Sequence, residues 1–397
     1  MEMKSRLLTA AAVVGLVVGA CGASTATTAP TAAPASQAPA SMAPASAAAT
    51  PAPSVDAKTA TSAADFGGMD ALVAAAKAEG TLNIIALPPD WANYGQIISD
   101  FHAKYGIKIN SIQPDGSSSD EINAAKNNQG TSAAPDVFDL GINVALANTD
   151  MFAPYKVSNW SDIPDSLKDP NGTWFSDYAG YESVGCDTSK VAPPATMADL
   201  LTAKYKGMVA LNGDPTQAAA GFYGVVMASL ANGGTPDNIA PGVDFFKKLN
   251  DAGNLLPVDP NPATIKSGQT PCVIDWLYNN RAQTDALKGT MDFQVTIPSD
   301  SPPVAAYYIQ AINKDAPNPA AARLWEEYLY SAAGSNAWLK GYAVPATIAA
   351  MQANGTVDAA ALAALPKTTQ TPVTLTQDQI KTDQDYLTAN WNFITIK

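Results

Sequence analysis

Residues 69–112 read MDALVAAAKAEGTLNIIALPPDWANYGQIISDFHAKYGIKINSI, and the spacing of their apolar side chains decides the fold class. Met69, Leu72, Val73 and Ala76 recur at the helical period of 3.6 residues. Gly80 stands where a glycine closes a helix in the left-handed conformation. Leu82 to Leu87 is a short apolar strand, and Tyr94, Ile97, Ile98, Phe101 and Tyr105 mark a second amphipathic helix that stops at Gly106. Ile107, Ile109 and Ile112 supply the next strand. Strands alternating with helices at this spacing imply an α/β protein with a parallel sheet. The run Pro135 to Gly141, PDVFDLG, reads as a further buried strand of that sheet.

Beyond Tyr178 the pattern restarts with a separate set of elements. Met208 to Leu211 is a strand, and Asp214-Pro215 reads as a helix start, with Asp at the N-cap and Pro at the first helical position. That helix runs through Val225, Val226 and Leu230 to Gly233-Gly234. Val243, Phe246 and Leu249 form another helical stripe, and Pro271 to Leu277 a strand. Phe293 to Ile297 and Tyr307 to Ile312 are strands that lead into a helix over 320–330.

The N-terminus carries a different message. Lys4 and Arg6 precede an apolar run from Leu7 to Ala20, whose 14 residues are short for a membrane span but fit a secretory signal. The run ends in Val18-Gly19-Ala20-Cys21, which resembles the lipobox of bacterial lipoproteins, so Cys21 is the expected lipidated residue. Residues 22–64 are almost entirely Ala, Ser, Thr and Pro, too little apolar surface to offset the entropy of ordering. They read as a disordered tether. The expectation is an exported protein held on the outer face of the cell membrane, or in the periplasm, by its lipid.

About 330 residues remain, more than one ordinary core takes, so two lobes are expected. A net charge of −13 argues against nucleic acid as a partner. Cys186 and Cys272 either pair in the oxidising compartment or stay as buried thiols; their spacing leaves both open. Enzyme signatures are missing. The single histidine, His102, lies in an amphipathic helix and reads as a solvated residue rather than a general base. Gly180 to Gly185 resembles a nucleophile elbow, but its first glycine is one residue out of place. No phosphate-binding loop, dinucleotide fingerprint or His/Cys metal spacing occurs. No cofactor is expected. An exported hydrolase using a carboxylate pair leaves no spacing to check, and stays as an alternative beside a stalked adhesin.

Aromatic and acidic residues instead recur just beyond strand ends, where open α/β sheets bind ligands. Asp90, Trp91 and Tyr94 follow the first strand, Asp214 and Gln217 follow another, and Asp275, Trp276 and Tyr278 close a third. Any one of these has an ordinary structural reading; Asp214 is a cap and Trp276 suits a core.

The stretch LVAAAKAEGTL at 72–82 resembles the opening of the iron- and polyamine-type solute-binding proteins of ABC importers. Text similar to that family recurs in PDVFDLG at 135–141, TMADLLTAKYKG at 196–207 and AAARLWEEYL at 320–329. The resemblance spans residues 64–350. It implies a two-lobed periplasmic-binding fold of type II, with hinge crossings near Tyr181–Cys186 and Ile297–Tyr308. The implied layout is lobe 1 over 65–180, lobe 2 over 181–296, and a return to lobe 1 with C-terminal helices over 297–397. It further implies a monomer that binds a small solute and meets an importer permease. Iron-binding members carry adjacent tyrosines where this chain has Trp276-Leu277, and Tyr307-Tyr308 lies elsewhere, so ferric iron is the lesser alternative. In polyamine binders, aromatic residues fall at Trp91, Tyr94 and Trp276 and an acid at Asp214. Asn93, Gln217 and Tyr308 stand where acids are expected, leaving Asp90, Glu182 or Asp275 to compensate. The ligand implied is a small cationic, polyamine-like solute.

Overall fold

The computed structural model describes residues 56–365 and 370–396. The signal, Cys21 and the tether up to residue 55 lie outside the described residues. Residues 56–64, expected as the end of the tether, belong instead to the folded body. The buried Arg323 guanidinium donates to the carbonyls of Lys58 and Ala60, and the Lys156 amide donates to Thr61 O. A buried cation needs acceptors, and this segment supplies them.

The first helices and strands fall where the periodicity placed them. Helix α1 (Met69–Glu79) leads to β1 (Thr81–Ile85), α2 (Tyr94–Tyr105) to β2 (Lys108–Ile112), and α3 (Ser118–Asn127) to β3 (Val137–Gly141). Gly80 and Gly106 end α1 and α2 at φ 73° and 71°, conformations that cost other residues strain. Strands β1 and β2 pair in parallel, Thr81 opposite Lys108. Strand β3 does not join them, contrary to the sequence reading. It pairs antiparallel with a strand about 170 residues later and only packs beside β1, where Asp136, just before β3, takes the Asn83 amide on its carboxylate and donates its own amide to Asn83 O.

Next come α4 (Ile142–Ala145), β4 (Phe152–Ala153) and the 13-residue β5 (Phe175–Asp187). They are followed by β6 (Val209–Leu211), α5 (Ala219–Ala231), α6 (Ala240–Asp251), α7 (Pro262–Ser267), β7 (Cys272–Trp276), α8 (Leu277–Ala286) and β8 (Phe293–Thr296). The chain then forms β9 (Ala305–Asn313), α9 (Pro319–Leu329), α10 (Ala332–Lys340), β10 (Val344–Pro345), α11 (Ile348–Ala353), α12 (Ala359–Ala364) and α13 (Gln377–Asn390). Helix α5 begins four residues after the expected Pro215. Asp214 Oδ1 accepts from the amide and hydroxyl of Thr216, closing a local turn instead of capping a helix. Gly221 lets α5 seat against that turn, because a Cβ there would strike the Gly213 carbonyl.

Two lobes share one long sheet of order β3-β9-β5-β7-β6. Residues 175–181 of β5 pair with β9, whereas residues 182–187 pair with β7 and β8, so β5 passes between lobes at Tyr181. The segment between β8 and β9 makes the return. Cys186 and Cys272 stand opposite each other in the β5–β7 register and form a disulfide. The first lobe's core is aromatic, with Tyr94, Phe101, Trp325 and Trp338 fully buried. No helix among the described residues is long and apolar enough to cross a membrane.

Candidate functional site

A cleft of about 170 Å³ opens between the lobes, beyond the strand ends. One wall comes from the first lobe: Asp90 and Trp91 after β1, Ser118 and Glu121 on α3, Asp139 in β3 and Tyr308 in β9. The facing wall carries Asn212 and Gly213 after β6, the start of α5, Asp259, Asp275 at the end of β7, and Asn279 and Gln283 on α8. Six acids line the cleft, Asp90, Asp115, Glu121, Asp139, Asp259 and Asp275, and none of its lining residues is a lysine or arginine.

The lobes touch across this space. Gln283 donates to Asp90 at 3.0 Å, and the Trp91 ring sits edge-on to Tyr278 and Tyr308, each with centroids 5.6 Å away. Trp91 Nε1 donates to the Tyr178 hydroxyl at 2.8 Å, which fixes the indole at the base of the cleft. Tyr308 stacks on Tyr178, their planes within 9°.

The acids are held unlike surface carboxylates. Burial pushes Asp275 up to about 7, although Asn212, the Trp276 amide and Asn279 donate to it. Burial likewise raises Asp259, against a 2.8 Å hydrogen bond from the Gly213 amide. Glu121 accepts the Asp139 amide at 3.0 Å, and burial drives its carboxyl well above the usual range. Two buried acceptors of lining residues, Asp139 Oδ1 and Asn279 Oδ1, have no hydrogen-bond partner among the described residues. Helix α5 has no side-chain cap at Ala218, and its first amides also front the cleft.

The nine sequence-derived candidates divide. Asp90, Trp91, Asp275 and Tyr308 line the cleft. Tyr94 is fully buried behind the wall, packed on Trp325 and Trp338, with its hydroxyl accepting from Gln310. Trp276 is also buried and reaches the cleft only through Tyr308, to whose hydroxyl its Nε1 donates at 3.3 Å. Glu182 lies opposite Trp276 with both oxygens unpartnered; burial and the neighbouring Asp275 raise its carboxyl well above normal. Asp214 is turned to Thr216, and Gln217 is exposed, its carbonyl accepting from Ser119 across the lobes. Glu121, Asp139, Asp259, Asn279 and Gln283 escaped the sequence reading. For Asp139 the signal existed: an acid inside the otherwise apolar run Val137 to Leu140.

Tyr307 and Tyr308 illustrate why an adjacent pair misleads. Alternation along β9 sends Tyr308 into the cleft and Tyr307 into a separate cavity behind the sheet, with Tyr181 and Tyr342. His102 is exposed on α2, its Nδ1 2.8 Å from Ile107 O. Among the described residues no group of three His, Cys, Asp or Glu side chains could hold a metal.

The sequence profile described as bacterial extracellular solute-binding protein matches residues 134–382. No curated protein matches the chain. Among solved structures it is similar to AgtB of A. tumefaciens R10 in complex with agropinic acid, with a TM-score of 0.61 and 14% identity over 79% of this chain and 97% of that one. It is similar to iron-bound HitA from Pseudomonas aeruginosa, with a TM-score of 0.57 and 18% identity over 78% and 98%. A third is AfuA from Actinobacillus pleuropneumoniae with fructose-6-phosphate bound, at 0.57 and 16% over 78% and 98%. At these identities the likenesses establish the fold, a two-lobed periplasmic-binding fold.

Proposed function

Because this chain belongs to the bacterial extracellular solute-binding protein family, whose members bind small solutes and deliver them to ABC permeases, we propose that its cargo is a small cationic, polyamine-like solute. The observation that carries this reading is the charge of the cleft: six acids line it without a lysine or arginine. Trp91 and Tyr308 add aromatic faces, which attract an ammonium through the ring quadrupole. Asp90, Asp275 and Asp139 offer it charge-assisted acceptors. Calorimetry with putrescine, spermidine, choline, phosphate and glucose-6-phosphate tests the reading. At least one of the three cations binds at neutral pH and the two anions do not; binding of the anions alone overturns it.

The uncapped start of α5 favours a second reading, a zwitterion whose carboxylate meets those amides while its ammonium meets the acids. A solute of that kind competes with the cations and loses affinity when its carboxylate is esterified.

We further propose that Cys21 carries the lipid that holds the protein at the membrane, with residues 22–55 as its tether. The support is the lipobox-like Val18 to Cys21 at the end of a short apolar run. Cys21→Ala then releases the protein from the membrane fraction, and full retention counts against the anchor.

A further inference from the structure

We propose that Asp139 is the charge anchor for the solute, and that an entering cation displaces the proton which the ligand-free Asp139 carboxyl holds. This rests on the cationic reading above and adds to it a specific residue and a proton.

Asp139 lies in the middle of β3, 4% exposed, at the floor of the cleft. Its Oδ2 accepts from the Tyr178 hydroxyl at 3.0 Å. That tyrosine oxygen itself accepts from Trp91, so its proton is committed to Asp139. Oδ1 has no donor among the described residues. Behind it stands Asp177, fully buried, with Oδ2 taking 2.8 Å from Gln310. Gln310 stands opposite Asp139 in the β3–β9 register, which sets Asp177 behind Asp139 as a second buried carboxyl.

Every titratable group that faces the pair is acidic or phenolic. Glu121 comes from α3, Tyr94 from α2, Tyr178 from β5, Tyr308 from β9, Tyr278 from α8, and Glu326 and Tyr330 from α9 and its end. No lysine, arginine or histidine is among them. An ionised Asp139 would be a buried charge with no cation beside it, which is strongly disfavoured. The proton avoids that cost: burial pushes Asp139 up to about 7 and Asp177 well above its normal range.

A cation reaching the Asp139 carboxyl changes the balance. The ammonium donates to Asp139, the O–H bond of the Asp139 carboxyl breaks, and the proton leaves to solvent. One positive charge enters and one departs, so the floor keeps its net charge while gaining a charge-assisted hydrogen bond. Affinity then depends on pH in one direction. Below about 7 each unit of acidity weakens binding about tenfold, because a proton must first be removed; above it the dependence flattens.

The test is calorimetry with putrescine, spermidine and choline at pH 6, 7 and 8, in two buffers of different ionisation heat. At pH 6 the expected result is at least one proton released per cation bound. Asp139→Asn lowers that count by one and weakens binding at least tenfold at pH 8. Asp177→Asn, which leaves the cleft wall intact, keeps the affinity at pH 8 and still releases a proton at pH 6, because burial holds that proton on Asp139; loss of the release in this variant overturns the assignment to Asp139, so a poorly folded Asp139→Asn does not end the test. Without any solute, proton titration of wild type and Asp139→Asn between pH 5 and 9 should differ by one group. Cation binding without proton release, or undiminished affinity in folded Asp139→Asn, overturns the proposal and leaves the cationic reading standing. Binding of the anions alone overturns both.

Discussion

Asp275 carries two roles that a single substitution separates. Its carboxyl ends β7 facing the cleft, and burial raises it to about 7 from an unfolded value near 3.9. A raised acid gives stability that is complete below the unfolded value and is lost as pH climbs through the folded one. Asn at this position cannot ionise, so ligand-free Asp275→Asn gains on wild type by roughly 1 kcal/mol per unit between about pH 4 and 7. Urea melts at pH 5 and 8 measure the difference; a gap independent of pH refutes the burial argument. The same variant should bind the cation at least tenfold more weakly at pH 8, since it removes one of the acids on the second wall. Residue-level legibility was uneven for a physical reason. Asp90 and Trp91 sit in a loop, where an acid beside an aromatic stands out, whereas Asp139 is one acid in a strand whose partners are distant in sequence.

Strand β5 and helix α13 are the elements on which the lobes depend. The disulfide joins β5 to β7 across 86 residues of chain, a long loop whose closure restricts the unfolded state. Replacing Cys186 and Cys272 with alanine should cost about 2–4 kcal/mol in guanidinium unfolding, and an unchanged midpoint would place the constraint elsewhere. Helix α13 straps the lobes. Asp383 takes the Ile239 amide, Gln379 donates to Asp237, and Trp391 at its end packs on Phe246. Gln384 alone reaches both sides, accepting from Asn143 at 3.0 Å and donating to Thr216 O at 3.1 Å. Gln384→Ala loses about 1 kcal/mol of stability and loosens the ligand-free protein. Small-angle scattering should show the variant more extended than wild type, and identical profiles would deny the strap. Helix ends proved legible where backbone chemistry is local, as at Gly80 and Gly106. The start of α5 did not, because Asp214 and Pro215 suit a turn as well as a helix and packing against Gly221 chose between them.

For the whole molecule the buried acids set how stability changes with pH. Burial raises Asp136 to about 6 and Asp139, Asp275 and Asp383 to about 7. Between about pH 4 and 7 the folded chain therefore binds more protons than the unfolded one. Thermal melts without ligand should lose stability steadily from pH 5 to pH 8, and self-repulsion at a net charge of −13 works in the same direction. Asp65, Asp199 and Asp358, lowered by hydrogen bonds at turns and helix starts, act oppositely, but only below about pH 4. A melting temperature that rises toward pH 8 would mean that the buried carboxyls are ionised and paired after all. Cation binding supplies the missing partner, so the loss of stability toward pH 8 should shrink when the site is saturated.

The amino-acid sequence by itself determined the local alternation of helix and strand, the glycine ends of α1 and α2, and the two-lobed α/β class. These follow from apolar periodicity and from backbone conformations that glycine alone adopts cheaply. The tertiary structure decided which strands pair, since β3 lies beside β9 rather than β1 and β5 serves both lobes. It also joined Cys186 to Cys272 and gathered Glu121, Asp139, Asp259 and Asp275 around one cleft. The physical reason is the range of the interactions. A period of 3.6 or 2 residues is written within ten residues of chain, while strand register and the burial of a carboxylate depend on surfaces that meet only after the chain has closed on itself.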